Sequence, residues 1–250
     1  MHILKTYWKR IGLIMGIILI LLLIGSFYVL SANTYRAMLE AERMIEKEQV
    51  TVEDNVIIVN TDEHKGNLVF YQGGLVESTA YLPLALSLSR EGFRVFIPNM
   101  PLNLAILNTA AFEDIQSTYP SDEPWLLGGH SLGGASASIF VSGNSEAVDG
   151  LFFLAAYPSS GSDLSKYALP VLSVTATNDN ILNWESYEEA QLNLPEESLT
   201  SVIIEGGNHS NFGYYGFQSG DGENTLSREE QHDLTVQAVT NFFNQQLADD

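Results

Sequence analysis

Residues 125–134 carry the sequence Trp-Leu-Leu-Gly-Gly-His-Ser-Leu-Gly-Gly, and this stretch decides the fold of the chain. Residues 129–133 match the pattern G-x-S-x-G around Ser131. In that pattern the serine stands on a sharp turn between a strand and a helix, where its hydroxyl is exposed at the carboxyl edge of a sheet. The apolar run Trp125–Leu127 predicts the strand, and the pattern that begins at Leu132 predicts the helix. We therefore expect Ser131 to be a nucleophile.

A serine nucleophile needs a base that accepts its proton, and histidine has the suitable pKa near neutral pH. His209 fits best because it directly follows a predicted strand, Leu199–Ile204, at the sheet edge where Ser131 emerges. The other four histidines fit less well: His2 precedes an apolar stretch, His64 lies in a polar turn, His130 is expected to point away from the serine, and His232 is expected on the solvated surface of the last helix.

The base in turn needs a carboxylate that fixes its tautomer and stabilises the imidazolium. Asp179 is the best candidate because it closes the loop after the predicted strand Val171–Ala176. The three residues then follow in the chain order Ser, Asp, His, which is one of the known orders of such triads. Asp163, after the preceding strand, is the alternative.

A tetrahedral intermediate also needs hydrogen-bond donors for its oxyanion. The first expected donor is the backbone amide of Leu132, the residue after the nucleophile. The second is expected in the loop Gln-Gly-Gly-Leu at residues 72–75, which follows a predicted strand. There the amide of Gly74 or that of Leu75 fits, so both stay candidates.

The rest of the chain alternates apolar strands with helical patterns. The predicted strands are Val56–Val59, Leu68–Tyr71, Phe93–Ile97, Trp125–Leu127, Leu151–Ala155, Val171–Ala176 and Leu199–Ile204. Helical spacing of apolar residues recurs within 81–88, 132–140 and 234–243. Continuous apolar strands indicate burial on both faces. The sequence therefore predicts an α/β fold with a mostly parallel sheet and helices on both of its faces.

With these residues placed, the chain resembles the α/β-hydrolase superfamily, in particular the small bacterial branch related to dienelactone hydrolases and carboxylesterases. The resemblance covers about residues 56–248 and rests on the serine motif and on Gly-Asn-His-Ser-Asn-Phe-Gly at residues 207–213. Gln72 departs from it, because many relatives have histidine there. The resemblance implies an α/β-hydrolase fold. The short connection between Ala155 and Val171 leaves no room for a large lid.

The segment after His209 has two interpretations. Tyr214, Tyr215 and Phe217 form either an aromatic rim beside the site or part of a packed surface loop. Asp221 and Glu223 resemble a fragment of a calcium loop but lack the other ligands. We therefore expect no metal and no cofactor.

An uncharged stretch, residues 11–30, has the length that crosses a bilayer. It predicts a transmembrane signal-anchor after a short tail, residues 1–10, with a stalk or first helix at 31–50 and the hydrolase domain at 51–250. Lys9 and Arg10 abut the apolar run, which favours a cytoplasmic N-terminus and an extracytoplasmic domain on a single-pass membrane protein. A signal peptide that is cleaved, with secretion of the domain, is the alternative.

Beyond Leu30 the chain holds 8 basic and 31 acidic residues, which gives a formal charge of 8 − 31 = −23. Such a domain should repel nucleic acid. The chain has no cysteine, so thiol nucleophiles and disulfides are excluded. The function expected is hydrolysis of small-molecule or surface-displayed carboxylic esters by a Ser-His-Asp triad. The alternatives are acyl transfer or amide cleavage by the same triad, and a non-catalytic binding protein of this fold.

Overall fold

The structure is a computed structural model that describes residues 2–247. The outer ends of the expected tail and hydrolase domain, Met1 and residues 248–250, lie outside the described residues. Contacts divide the chain into two units, Met1–Thr34 and Tyr35–Asp250. Each unit is described by itself.

The first unit is one long helix, α1 (His2–Ala32). Its apolar part, Gly12–Ala32, has 21 residues and a mean hydropathy of 2.8. At about 1.5 Å per residue these residues span roughly 30 Å, the thickness of a bilayer's hydrocarbon core. The side chains of Asn33 and Thr34 donate to the carbonyls of Val29 and Leu30, so they satisfy acceptors that the helix end leaves free. The helix is therefore long and apolar enough to be a membrane anchor or a signal sequence.

The second unit is built on an eight-stranded sheet with the order β1-β2-β4-β3-β5-β6-β7-β8. The first two strands pair antiparallel with their neighbours, and the pairs from β4 to β8 are parallel. The strands are β1 (Val50–Glu53), β2 (Val56–Val59), β3 (Gly66–Tyr71), β4 (Phe93–Pro98), β5 (Trp125–His130), β6 (Gly150–Leu154), β7 (Val171–Ala176) and β8 (Leu199–Ile204).

The helices of this unit are α2 (Leu39–Glu42), α3 (Leu82–Arg90), α4 (Ala111–Thr118), α5 (Leu132–Gly143), α6 (Trp184–Ala190) and α7 (Arg228–Gln246). Short 3-10 turns cover Arg43–Glu46, Ser78–Tyr81, Pro101–Asn103, Ala105–Leu107, Ser145–Ala147, Gln191–Asn193, Glu196–Ser198 and Ser210–Phe212.

Two hydrophobic cores lie on opposite faces of the sheet. Successive residues of a strand point to opposite faces, so Leu68 and Phe70 join the core beneath α3 and α7. Val69 and Tyr71 join the other core, beneath α4 and α5. Burial on both faces explains why the strands are apolar throughout. The predicted α/β-hydrolase fold, with a mostly parallel sheet and helices on both faces, is confirmed.

The segment after α1 differs from the expected stalk or first helix. Only Leu39–Glu42 and the following 3-10 turn are helical, whereas Tyr35 is extended and forms a bridge with Val76. The Ala37 amide donates to Glu77 at 2.9 Å, and Met38 donates to the Tyr214 carbonyl at 2.7 Å. These contacts favour an extended path over a helix, and they make the segment part of the second unit.

Candidate active site

Ser131 stands at the turn between β5 and α5. Its φ of 52° and ψ of −121° are sterically unfavourable for a residue with a side chain, at a cost of about 1–3 kcal/mol. The Ser131 amide donates to the Leu154 carbonyl at 3.0 Å, which anchors the turn to the neighbouring strand. The strained backbone presents the hydroxyl away from the sheet.

Gly129 and Gly133 allow this turn because a side chain at either position would collide with the chain nearby. A Cβ at Gly133 or at Gly129 would overlap the carbonyl oxygen of Tyr71. Backbone cannot move aside as a flexible side chain can. The two glycines of the motif are therefore required by close packing of α5 against β3.

His209 and Asp179 form a buried pair. The distance between His209 Nδ1 and Asp179 Oδ2 is 2.8 Å. The other oxygen, Oδ1, accepts the amides of Ile181 at 2.9 Å and Leu182 at 2.7 Å, which fixes the carboxylate. Since a carboxylate only accepts, Nδ1 carries the proton, and Nε2 is left as the basic nitrogen. This is the geometry of a histidine oriented as a base.

Ser131 and His209 line the same cavity, which has a volume of about 300 Å³. Leu132, Ala135 and Leu182 form part of its wall. Two larger surface clefts, of about 550 and 530 Å³, lie along α7 and contain neither residue. The structure thus brings the predicted nucleophile, base and carboxylate together at one edge of the sheet.

The structure distinguishes the two expected oxyanion donors on the second loop. The Leu75 amide donates to the Asn103 carbonyl at 2.8 Å, so it is already occupied. Gly74 lies against Leu132, since a Cβ on Gly74 would come within 3.1 Å of the Leu132 side chain. Leu132 is the first residue of α5, where an amide has no acceptor inside the helix. The amides of Leu132 and Gly74 are therefore the pair that the geometry favours, and Leu75 is excluded by its own hydrogen bond.

Gln72 holds this loop from inside the protein. It is fully buried, and its Nε2 donates to the Val76 carbonyl at 2.6 Å and to Asn103 Oδ1 at 3.0 Å. Its Oε1 accepts the Met100 amide at 3.3 Å. The glutamine thus joins the loop to the segment around Asn103, whose carbonyl accepts the Leu75 amide.

His130 and Tyr81 support the same loop. The Gly73 amide donates to the Tyr81 oxygen at 3.0 Å, and Tyr81 lies 2.9 Å from His130 Nδ1. Burial lowers the pKa of His130 well below its usual range and raises that of Tyr81 above its usual range. Both groups are therefore neutral, and a hydrogen bond joins them. The His130 ring lies 4.4 Å from the His209 ring, centroid to centroid.

Asp221 fixes the loop that carries His209, a role that the sequence analysis did not predict. Its Oδ2 accepts the Ser210 amide at 2.7 Å and the Ser210 hydroxyl at 2.6 Å. Its Oδ1 accepts the amides of Gly222 at 2.8 Å, Asn180 at 3.3 Å and His209 at 3.4 Å. This carboxylate links the histidine loop to the residue beside Asp179. Only its burial distinguishes Asp221 from an ordinary turn residue. The burial could not be predicted, because the glycines and polar residues around Asp221 are typical of an exposed turn.

The structure corrects one expectation, for His232, and decides between the alternatives left open for Asp163 and for the aromatic segment. His232 is buried rather than solvated, edge-on to Tyr214 at 5.1 Å between centroids, because it shares the inner face of α7 with Thr235 and Val236. Asp163 is exposed and bonds Ser165 instead of His209. Tyr214 and Tyr215 are buried and only Phe217 is exposed, which favours the packed loop over the aromatic rim.

Within residues 2–247, no group of three or more histidine or acidic side chains is arranged to hold a metal ion. Residues 155–170, which connect β6 to β7, contain no helix or strand in the described chain. A serine hydroxyl beside a histidine that a carboxylate orients is the arrangement that activates a serine for nucleophilic attack.

Residues 67–233 match the family model of the alpha/beta hydrolase family. No curated protein matches the chain. Among solved structures, a dienelactone hydrolase from Anabaena variabilis is 15% identical with a TM-score of 0.57, over 77% of this chain and 91% of that one. Est1E from Butyrivibrio proteoclasticus, solved with ferulic acid, is 15% identical with a TM-score of 0.59, over 82% and 98%.

Esterase 2 from Thermogutta terrifontis, phosphoramylated by tabun, is 12% identical with a TM-score of 0.60, over 81% of this chain and 97% of that one. At these identities the likeness concerns the fold, and it agrees with the branch that the sequence resembles. The family model covers two thirds of the chain and includes Ser131, Asp179 and His209. The chain therefore belongs to the alpha/beta hydrolase family.

Proposed function

We propose that the protein is a serine hydrolase that cleaves carboxylic esters through an acyl-enzyme. The observation that carries this proposal is the buried pair His209–Asp179 at 2.8 Å, beside a cavity that it shares with Ser131. Esterases among the structural neighbours support the same reaction class.

The reaction has two halves. The Ser131 oxygen attacks the ester carbonyl while His209 Nε2 takes its proton, and the amides of Leu132 and Gly74 bind the oxyanion. The intermediate collapses, the ester C–O bond breaks, and His209 returns the proton to the leaving alcohol. Water then attacks the acyl-enzyme and gives a proton to His209, which passes it to Ser131 as the acid leaves. Asp179 stabilises the imidazolium in both halves.

Hydrolysis of p-nitrophenyl butyrate by the full chain in nonionic detergent tests the assignment. Ser131→Ala and His209→Gln should each lower kcat by about 10⁴-fold or more, because the nucleophile and its base act as a unit. His64→Gln is the matched control, since His64 contacts Ser121 in a turn away from the cavity, and it should keep the wild-type rate. Undiminished turnover by Ser131→Ala contradicts the proposal.

We also propose that residues 11–30 are a retained single-pass anchor with the hydrolase domain, residues 51–250, outside the cytoplasm. The apolar helix and the basic residues before it support this topology. The cysteine-free chain allows a direct test. In intact cells a membrane-impermeant maleimide should label Glu196→Cys but not Trp8→Cys. Labelling of Trp8→Cys alone contradicts the orientation, and a soluble, shortened domain indicates cleavage.

A further inference from the structure

The cavity beside Ser131 has walls without a charged side chain. Aliphatic groups such as Ala135 and Leu182 form most of the lining. Apart from the proposed catalytic groups, the polar side chains are Tyr157 and Asn183, an uncharged phenol and an amide. Among the described residues, no lysine, arginine, aspartate or glutamate lines this cavity.

Three basic side chains of the domain have contacts outside this cavity. Lys65 donates to Asn244 at 3.2 Å, and the Arg94 guanidinium lies 4.9 Å from the centre of the Phe96 ring. Arg228 lies over the ring of Tyr214. With 8 basic against 31 acidic residues beyond Leu30, the domain also carries a strongly negative field.

A substrate carboxylate would meet both features. It would lose water against apolar walls with no cation to pair with it, and it would approach through a negative potential. An uncharged group of the same size loses no ionic hydration. We propose that this site accepts esters with uncharged substituents and rejects esters that carry a carboxylate. The inference rests on the proposed ester hydrolysis at Ser131.

The test compares two substrates on the full chain in nonionic detergent: p-nitrophenyl methyl adipate and p-nitrophenyl hydrogen adipate. They differ only in whether the far end is a methyl ester or a free carboxylate. We expect kcat/KM at low salt to be at least about 10-fold higher for the methyl ester. Added NaCl should narrow the gap, because it screens the negative field. Equal kcat/KM values at low salt overturn the proposal.

A variant of Ile181 makes the test sharper. Ile181 lines the cavity and is half-buried, and its amide, which any residue keeps, donates to Asp179. Ile181→Arg should raise kcat/KM for the acid relative to the methyl ester by about 10-fold, because it supplies the missing cation. Ile181→Gln is polar but uncharged and should leave the ratio as in wild type. The same change with both variants overturns the electrostatic explanation.

Failure of the selectivity and failure of the reaction give different results. If neither ester is hydrolysed and a fluorophosphonate leaves Ser131 unmodified, the proposed function fails and this inference fails with it. If Ser131 reacts and both adipates are hydrolysed equally well, the ester hydrolysis stands and only the selectivity is overturned.

Discussion

The loop that carries His209 and the loop that carries Gly74 lie at the same edge of the sheet, yet a carboxylate fixes the first and neutral groups fix the second. Asp221 accepts the amides of His209 and Ser210. The Gly74 loop is held by Gln72 and by the neutral Tyr81. In the proposed reaction a positive charge develops on the imidazole and a negative charge on the oxyanion.

The difference indicates that the groups that hold each loop suit the charge that develops beside it in the proposed reaction. A buried carboxylate near His209 favours the imidazolium, whereas the same charge behind Gly74 would oppose the oxyanion. Three perturbations test this comparison.

The largest effect is expected from Asp221→Asn. The amide group would face backbone N–H donors and lose at least two charge-assisted hydrogen bonds, so we expect the free energy of unfolding to fall by about 3–5 kcal/mol. Chemical denaturation measures this change. Asp163→Asn is the matched control, because Asp163 accepts the amide and hydroxyl of Ser165 but is exposed. Equal, small losses for both variants would show that the histidine loop does not depend on the carboxylate.

On the other loop, Gln72→Glu should chiefly affect catalysis. A glutamate would place one carboxylate oxygen against the Val76 carbonyl and Asn103 Oδ1, displace the loop, and add a negative charge behind the oxyanion. We expect kcat to fall by about 10²-fold with KM little changed, the loss typical of one oxyanion donor. Gln116→Glu, on α4, changes the same group near the Ala147 carbonyl and should have little effect on kcat. If Gln72→Glu keeps the same kcat as that control, the Gly74 loop does not depend on an uncharged residue at position 72.

A smaller effect concerns pH. The pKa of His232 is lowered from 6.5 to about 4, chiefly by burial and also by the nearby Arg228, while Glu229 opposes the shift. Between pH 6.5 and 4 the unfolded chain therefore binds a proton at His232 that the folded chain does not bind. The contribution of His232 to the free energy of unfolding is full above pH 6.5 and falls as the pH drops towards 4. We expect His232 to contribute about 2–3 kcal/mol to this loss. Denaturation of His232→Gln should show a weaker dependence over that range, and an unchanged slope would contradict the assignment.

The sequence predicted most of the sheet because burial on both faces leaves long apolar runs. It missed β1 (Val50–Glu53), an edge strand with little apolar pattern, and the short helices α4 and α6. His232 was misplaced because its charged neighbours conceal the spacing to Thr235 and Val236, which sets the buried face of α7.

The candidate site could likewise be predicted in part from the positions of the strands. The sequence could predict that Ser131, Asp179 and His209 lie near one another, because each lies in the segment after a strand and parallel strands end at one edge of the sheet. The choice between Gly74 and Leu75 could not be made, because it depends on the Asn103 carbonyl. The direction of that carbonyl depends on the left-handed backbone of Leu102 and Asn103, with φ values of 54° and 55°. No local sequence pattern predicts these values. The role of Asp221 likewise depends on tertiary contacts, so the sequence could not predict it.

The most direct test of the central claim is reaction of the full chain with a fluorophosphonate, followed by intact mass and peptide mapping. An activated serine beside an oxyanion hole should form one adduct, located on Ser131, and Ser131→Ala should form none. No adduct on folded protein, or the same adduct on Ser131→Ala, would contradict the assignment of Ser131 as the nucleophile.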